Sequence, residues 1–171
     1  MELARERYNN IMCFYLNRDI QIRKTGCVLQ PSLPWFVTNP DGLICDHSVT
    51  DGNVFGILKI VCPKTRRNDD LDHILSDPAF FITEIEGELT LKKDHPDGHF
   101  TNIQLMMGLC GARYCDLAVF VFNGMLIVRT YIDIDFVTDL IPKLNKFYHQ
   151  YLLPKVAIEY FKEKETNGIQ C

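Results

Sequence analysis

Asp41 follows Asn39-Pro40 at a turn and leads into the apolar run Leu43-Ile44-Cys45, and a denser run, Gly56-Ile57-Leu58-Lys59-Ile60-Val61-Cys62-Pro63, comes after it. Metal-dependent phosphodiester cleavage on a hairpin scaffold asks for an acid at a bend, a second acid one strand later, and a lysine two residues beyond that second acid. The acids hold Mg²⁺, and the lysine orients or activates the attacking water. Asp41 supplies the first of these groups. In the second run, period-two geometry puts Ile57, Lys59 and Val61 on one face and Leu58, Ile60 and Cys62 on the other, which turns Lys59 toward Asp41.

Other residues could do chemistry, and each has a simpler use. His95 and His99 stand four apart and Cys110 and Cys115 follow, but no C-x₂-C pair exists and a helix separates the two couples, so scattered structural residues are the better reading than a zinc site. Cys45-Asp46-His47 reads as a turn with polar tips. A Cys–His nucleophile can be drawn by chance among seven cysteines and five histidines. Lys64, Arg66 and Arg67 form a compact basic cluster placed where a nuclease would meet a phosphate backbone, although Asp69, Asp70 and Asp72 offset it in a solvated loop. Glu84, Glu86 and Glu88 offer an alternative acidic triplet, yet no lysine stands two residues beyond any of them, and Gly87 suggests an exposed hairpin turn.

The elements that would position these residues follow from periodicity. Leu3, Ala4, Tyr8, Ile11, Met12, Tyr15 and Leu16 recur near helical spacing, with Glu2, Arg5, Glu6 and Arg7 on the wet side. Ile20–Gln30 alternates as a strand, Pro31 and Pro34 break it, and Trp35–Thr38 is extended again. Leu43–Cys45 and Val54–Cys62 predict a hairpin with an eight-residue polar connection. Phe80–Ile82 and Leu89–Leu91 flank the turn-like Glu86-Gly87-Glu88. Phe100–Leu109 predicts a helix capped by Gly108 or Gly111. Asn123-Gly124 between Leu117–Phe122 and Met125–Val128 carries the type I′ hairpin signature. Helical spacing returns from Phe136 to Lys164, interrupted by Pro142 and Pro154. The expected architecture is α/β: a central mixed β-sheet from the strands around Val28, Leu43, Val54–Cys62, Leu117–Phe122 and Met125–Tyr131, flanked by the first, middle and last helices.

With 171 residues, 47% of them hydrophobic and 11% aromatic, the chain suffices for one well-formed core, read here as a single domain over residues 1–165 with a flexible tail at 166–171. A net charge of −4 provides no overall basic field, so any nucleic-acid contact must be local. Seven cysteines without close pairs, mostly in apolar runs, fit a reducing compartment. The charged N-terminus does not read as a signal peptide, and no apolar run reaches the length of a membrane span. An intracellular protein, nuclear or cytoplasmic, is expected.

Trp35-Phe36-Val37-Thr38-Asn39-Pro40-Asp41-Gly42-Leu43-Ile44 and Gly56–Pro63 together resemble the YqaJ-type viral recombinase and bacteriophage lambda exonuclease family, whose members have the PD-(D/E)xK, restriction-endonuclease-like nuclease fold. That family's pattern is Ser/Thr-x-Pro-Asp-Gly followed by Gly-x-Leu-Glu-Ile-Lys-Cys-Pro. Glu2-Leu3-Ala4 with Tyr8 resembles its acidic first helix, Lys92-Lys93-Asp94-His95-Pro96 leading to Gln104 its lysine, histidine-proline and glutamine segment, and Cys115–Val121 and Phe147–Pro154 its closing strand and last helix. The departures fall where the chemistry should be. Lys59 stands where the family carries glutamate and Val61 where it carries the catalytic lysine; a lysine cannot ligate Mg²⁺ and a valine cannot polarise water.

The resemblance therefore implies a degenerate member with no catalytic residues. Asp41, Lys59, Val61, Gln104 and Glu2 mark a vestigial site, Asp41 is the residual metal-ligand candidate, and no cofactor is expected. The implied role is a pseudo-exonuclease module with a protein partner or DNA, in nuclear DNA or chromatin processes. The alternative is a residual Mg²⁺-dependent exonuclease with relocated acids. Two readings of Lys59 stay open: its ammonium fills the space a metal would take, pairing with Asp41 and Glu2, or it reaches to solvent while Asp41 caps the turn.

Overall fold

Strand alternation decides the centre of the molecule. In the computed structural model, which describes residues 1–49 and 55–166, five strands form one mixed sheet: β1 (Ile20–Arg23), β4 (Gly42–Asp46), β5 (Phe55–Val61), β8 (Tyr114–Val121) and β9 (Gly124–Tyr131), in the order β1-β4-β5-β8-β9. Only β5 and β8 run parallel, with Lys59 across from Leu117 and Val61 across from Val119. The expected strand start at Val54 and half of the polar connection before it lie outside the described residues, as does nearly all of the expected tail.

One sheet face is covered by α1 (Glu2–Asn10) and the π-helical turn Ile11–Tyr15. Ala4, Tyr8 and Met12, on one helical stripe, pack against Ile20, Ile44, Leu58, Ile60, Tyr114 and Ala118. On the opposite face lies α3 (His99–Cys110), whose Phe100, Ile103, Gln104 and Met107 are buried at i, i+3, i+4 and i+7. Gly111 ends α3 with φ 68°, a left-handed cap that any other L-residue would resist, so the cap is Gly111 rather than Gly108.

Two hairpins stand apart from the central sheet. β2 (Val28–Gln30) pairs with β3 (Leu33–Thr38), and β6 (Ile82–Ile85) pairs with β7 (Glu88–Leu91) through a turn in which both Glu86 and Gly87 have positive φ. A short helix, α2 (Leu71–Ser76), precedes the second hairpin.

Two expectations are corrected here. The strand around Val28 is not in the central sheet: the chain leaves the strand register at Lys24, β1 takes the sheet edge beside β4, and Val28 folds back onto β3 instead. The β8–β9 hairpin forms, but Val121 pairs with Gly124, leaving Phe122-Asn123 as its two-residue loop. No residue from Phe122 to Gly124 has positive φ, so the turn is not type I′. Tertiary bonds hold it. Phe122 N–H donates to Arg67 O at 2.8 Å, and Asn123 Nδ2 donates to Asn68 O and to Asp70 Oδ1, both at 3.1 Å. Gly124 is required for space, since a Cβ there would stand 2.5 Å from Leu71 Cδ1.

Residues 1–133 make one compact unit and the chain from Ile134 a second. The second is helical: α4 (Ile134–Phe147), a π-helical turn Tyr148–Leu152, and α5 (Leu153–Thr166). Pro154 has no N–H to give to the turn before it, and that stretch is where the wider π geometry sits. Among the described residues no helix is long and apolar enough to cross a membrane.

Candidate functional site

Asp41 occupies the bend before β4, and its own N–H donates to Leu58 O at 2.8 Å, which fixes the bend against β5. From there its carboxylate reaches along β5. Oδ2 accepts the Ile60 N–H at 2.8 Å and lies 3.2 Å from Lys59 Nζ. Lys59 is on the α3 face of the strand with Ile57 and Val61, and its side chain is 30% exposed against 16% for Asp41. The pair is partly desolvated, in the range where an ion pair is worth more than the surface value but still faces water on one side. Val61, half-buried across from Val119, carries no polar atom into the same face.

Glu2 joins this group only through an intermediary. Arg5 donates to Asp41 O from Nε at 3.1 Å and from Nη2 at 3.0 Å, while its Nη1 meets Glu2 Oε2 at 3.1 Å. Lys24 Nζ also reaches Glu2 Oε2, at 2.8 Å, and this hydrogen bond is the main cause holding the Glu2 carboxyl below its usual range. Glu2 thus lies on the solvent side with two cations of its own. Arg5, which clamps the first helix to the bend, was not singled out in the sequence; its one-turn spacing from Glu2 signals their ion pair but not the bond to the Asp41 carbonyl.

Gln104 is fully buried. Its Nε2 donates to Tyr131 O at 3.0 Å and its Oε1 accepts from Asp133 N–H at 2.8 Å, so its amide bridges α3 to the end of β9. Of the basic cluster, Lys64 and Arg67 are exposed, whereas Arg66 is ion-paired with Asp77 and lies over the Phe80 ring. His95 Nε2–H donates to Ala79 O at 2.9 Å, and His99 packs on Phe81 with ring centroids 4.1 Å apart. Burial pushes the Cys115 thiol well up, which makes it inert. Glu84, Glu86 and Glu88 are exposed on the β6–β7 hairpin. Among the described residues no three His, Cys, Asp or Glu side chains are grouped to hold a metal ion.

The opposite sheet face holds a charged network that the sequence reading missed. Asp116 and Asp46 are fully buried. Arg129 donates to Asp116 through Nε (2.7 Å) and Nη2 (2.8 Å), and its Nη1 lies 3.6 Å from Asp46 Oδ2. Tyr8 O–H donates to Asp116 Oδ2 at 2.5 Å, and Arg18 to Asp46 Oδ2 at 2.9 Å. The Arg129 guanidinium lies 4.0 Å from the Tyr114 ring centroid, and that ring fills the space a Cβ on Gly56 would need. Burial of Tyr8, together with the Asp116 charge, drives its phenol far above the ordinary value, so it stays a donor. Burial raises the Asp46 carboxyl, but hydrogen bonds from Ser48 and Arg18 outweigh it and hold the group below its usual range.

A mixed five-stranded sheet with α1 on one face and α3 on the other has a counterpart among solved structures. A crystal structure of an alkaline exonuclease from Laribacter hongkongensis matches 98% of this chain and 71% of its own, with a TM-score of 0.59 and 19% identity. The fold is similar to that of this exonuclease. The same exonuclease in complex with dAMP gives a TM-score of 0.60 at 18% identity, covering 98% and 72% of the two chains. No family model matches the chain and no curated protein does. At this identity the likeness shows the fold alone.

The metal that such a fold implies does not fit these residues. Mg²⁺ demands near-octahedral oxygen ligation. The bend offers one carboxylate, and the oxygen turned toward β5 already accepts a backbone N–H and faces an ammonium at 3.2 Å. A second cation there would be repelled by the first.

Proposed function

We propose that this nuclease-fold domain does not cut and serves as a binding module for DNA or a protein partner, with a side-chain cation standing in for the metal. The Lys59–Asp41 contact carries this reading. An ammonium beside Asp41 preserves local charge balance, so the bend keeps its geometry without a metal, while Ile57 and Val61 on that strand face carry no polar side-chain atom and the Lys59 ammonium cannot ligate a cation. The relocated-acid alternative has less support, because Glu2 is engaged by Arg5 and Lys24 and the hairpin glutamates are exposed.

Manganese titration tests the reading without a substrate. The expected result is no saturable Mn²⁺ binding at about millimolar concentration, and the same trace from Asp41→Ala. Saturable binding in the wild type that vanishes in Asp41→Ala would refute it.

A further inference from the structure

The tip of the β8–β9 hairpin is an exposed aromatic on a rigid mount. Phe122 is 60% exposed. Its N–H donates to Arg67 O at 2.8 Å, and its carbonyl accepts from Arg7 Nη1 at 3.2 Å. Asn123 is tied to the same loop by two further bonds. The Phe120 ring meets Phe122 edge-on, with centroids 6.5 Å apart at 89°, and Arg7 sits 5.9 Å above Phe120. Beside the ring opens a cleft of about 220 Å³ lined by Cys62, Pro63, Lys64, Arg67, Phe120 and Phe122.

A single exposed phenylalanine is ordinary on a protein surface. This one is held by bonds from two other segments and bordered by three cations. Lys64 and Arg67 are exposed, and among the described residues neither side chain is in an ion pair; Asp70, on the same loop, accepts from Asn123. In a chain of net charge −4, unneutralised cations gathered around one aromatic face call for an anionic partner that also has a flat apolar surface.

We infer that this tip binds single-stranded nucleic acid, an unpaired base stacking on Phe122 while flanking phosphates meet Arg7, Lys64 and Arg67. A duplex keeps its internal base faces stacked on one another, so a ring at a hairpin tip stacks on an unpaired base without the cost of unstacking a duplex step. The inference rests on the preceding reading in that the domain binds rather than cuts, and it names the partner class.

The test is fluorescence anisotropy in EDTA with a labelled oligothymidylate of about ten nucleotides, a length within the usual single-strand site size. Phe122→Ala should weaken binding about tenfold. Phe122→Trp should retain it, with indole fluorescence quenched on binding against the constant signal of the single native Trp35. Three neutralised phosphates predict a log–log salt slope of about −2, falling to about −0.7 in Lys64→Ala with Arg67→Ala. Because Phe122 is exposed, its variants should melt with the wild type. An unchanged affinity in Phe122→Ala, equal competition by a duplex of the same length, or no binding by the wild type would each overturn the inference. All three leave the absence of cleavage untouched, since that is read separately with Mg²⁺ present.

Discussion

Asp116→Ala should destabilise the first unit by about 3–5 kcal/mol, the cost of leaving a buried charge without its partner. Removing the carboxylate strands the Arg129 guanidinium, whose other carboxylate contact is at 3.6 Å to Asp46, and takes the acceptor from the buried Tyr8 hydroxyl. For a domain of this size each kcal/mol shifts the melting temperature by roughly 2–4 °C, so a drop of about 6–20 °C is expected in a thermal melt. Tyr8→Phe should cost about 1–3 kcal/mol, because it frees one Asp116 oxygen from one of its two donors. The two changes should not add, since both act on the same oxygen. Additivity would mean that the short Tyr8–Asp116 bond contributes nothing.

The second large effect concerns Lys59→Glu combined with Val61→Lys. The double variant puts a carboxylate beside Asp41 in place of the ammonium and a lysine two residues further along the same strand face. Without metal, two carboxylates within ion-pair distance repel, and the variant should melt below the wild type. With Mn²⁺ at about a hundredfold over its dissociation constant, binding to the folded state alone returns about 2.7 kcal/mol, which corresponds to a rise of roughly 5–11 °C. The wild type should show no such metal dependence. A double variant equally indifferent to Mn²⁺ would mean that the surrounding groups no longer support a metal, and that the loss extends beyond the two substituted positions.

Much of this architecture was readable because the sheet interior obeys strict alternation. The faces of β5 follow from its residue types, and with them the turn of Lys59 toward Asp41. The helical stripe of α3 places Phe100, Ile103, Gln104 and Met107 together, so the burial of Gln104 was also implicit, although not that its amide would bridge Tyr131 and Asp133. The β1–β2 break was hidden because Ile20–Gln30 alternates almost throughout, and local alternation cannot say which partner each half will find.

The charged network was hidden by the hairpin turn. With Asn123-Gly124 as the loop, Asp116 would have stood across from Tyr131. With Phe122-Asn123 as the loop, Asp116 stands across from Arg129 on the same face, and the salt bridge follows. The sequence signal for Asn-Gly is local, whereas the turn that forms is held by Arg67, Asn68 and Asp70 and by the room Gly124 leaves for Leu71. A distant segment overrode a short-range preference. Arg5 escaped notice for a related reason, since it acts through the Asp41 carbonyl and no side-chain pattern announces that contact.

Whether the proposed non-cutting module leaves DNA intact with Lys59 beside Asp41 is read directly by incubating the protein with linear double-stranded and single-stranded DNA in Mg²⁺ or Mn²⁺. Both DNAs should remain full length, with Asp41→Ala indistinguishable from the wild type. Degradation by the wild type that disappears in Asp41→Ala would contradict the account.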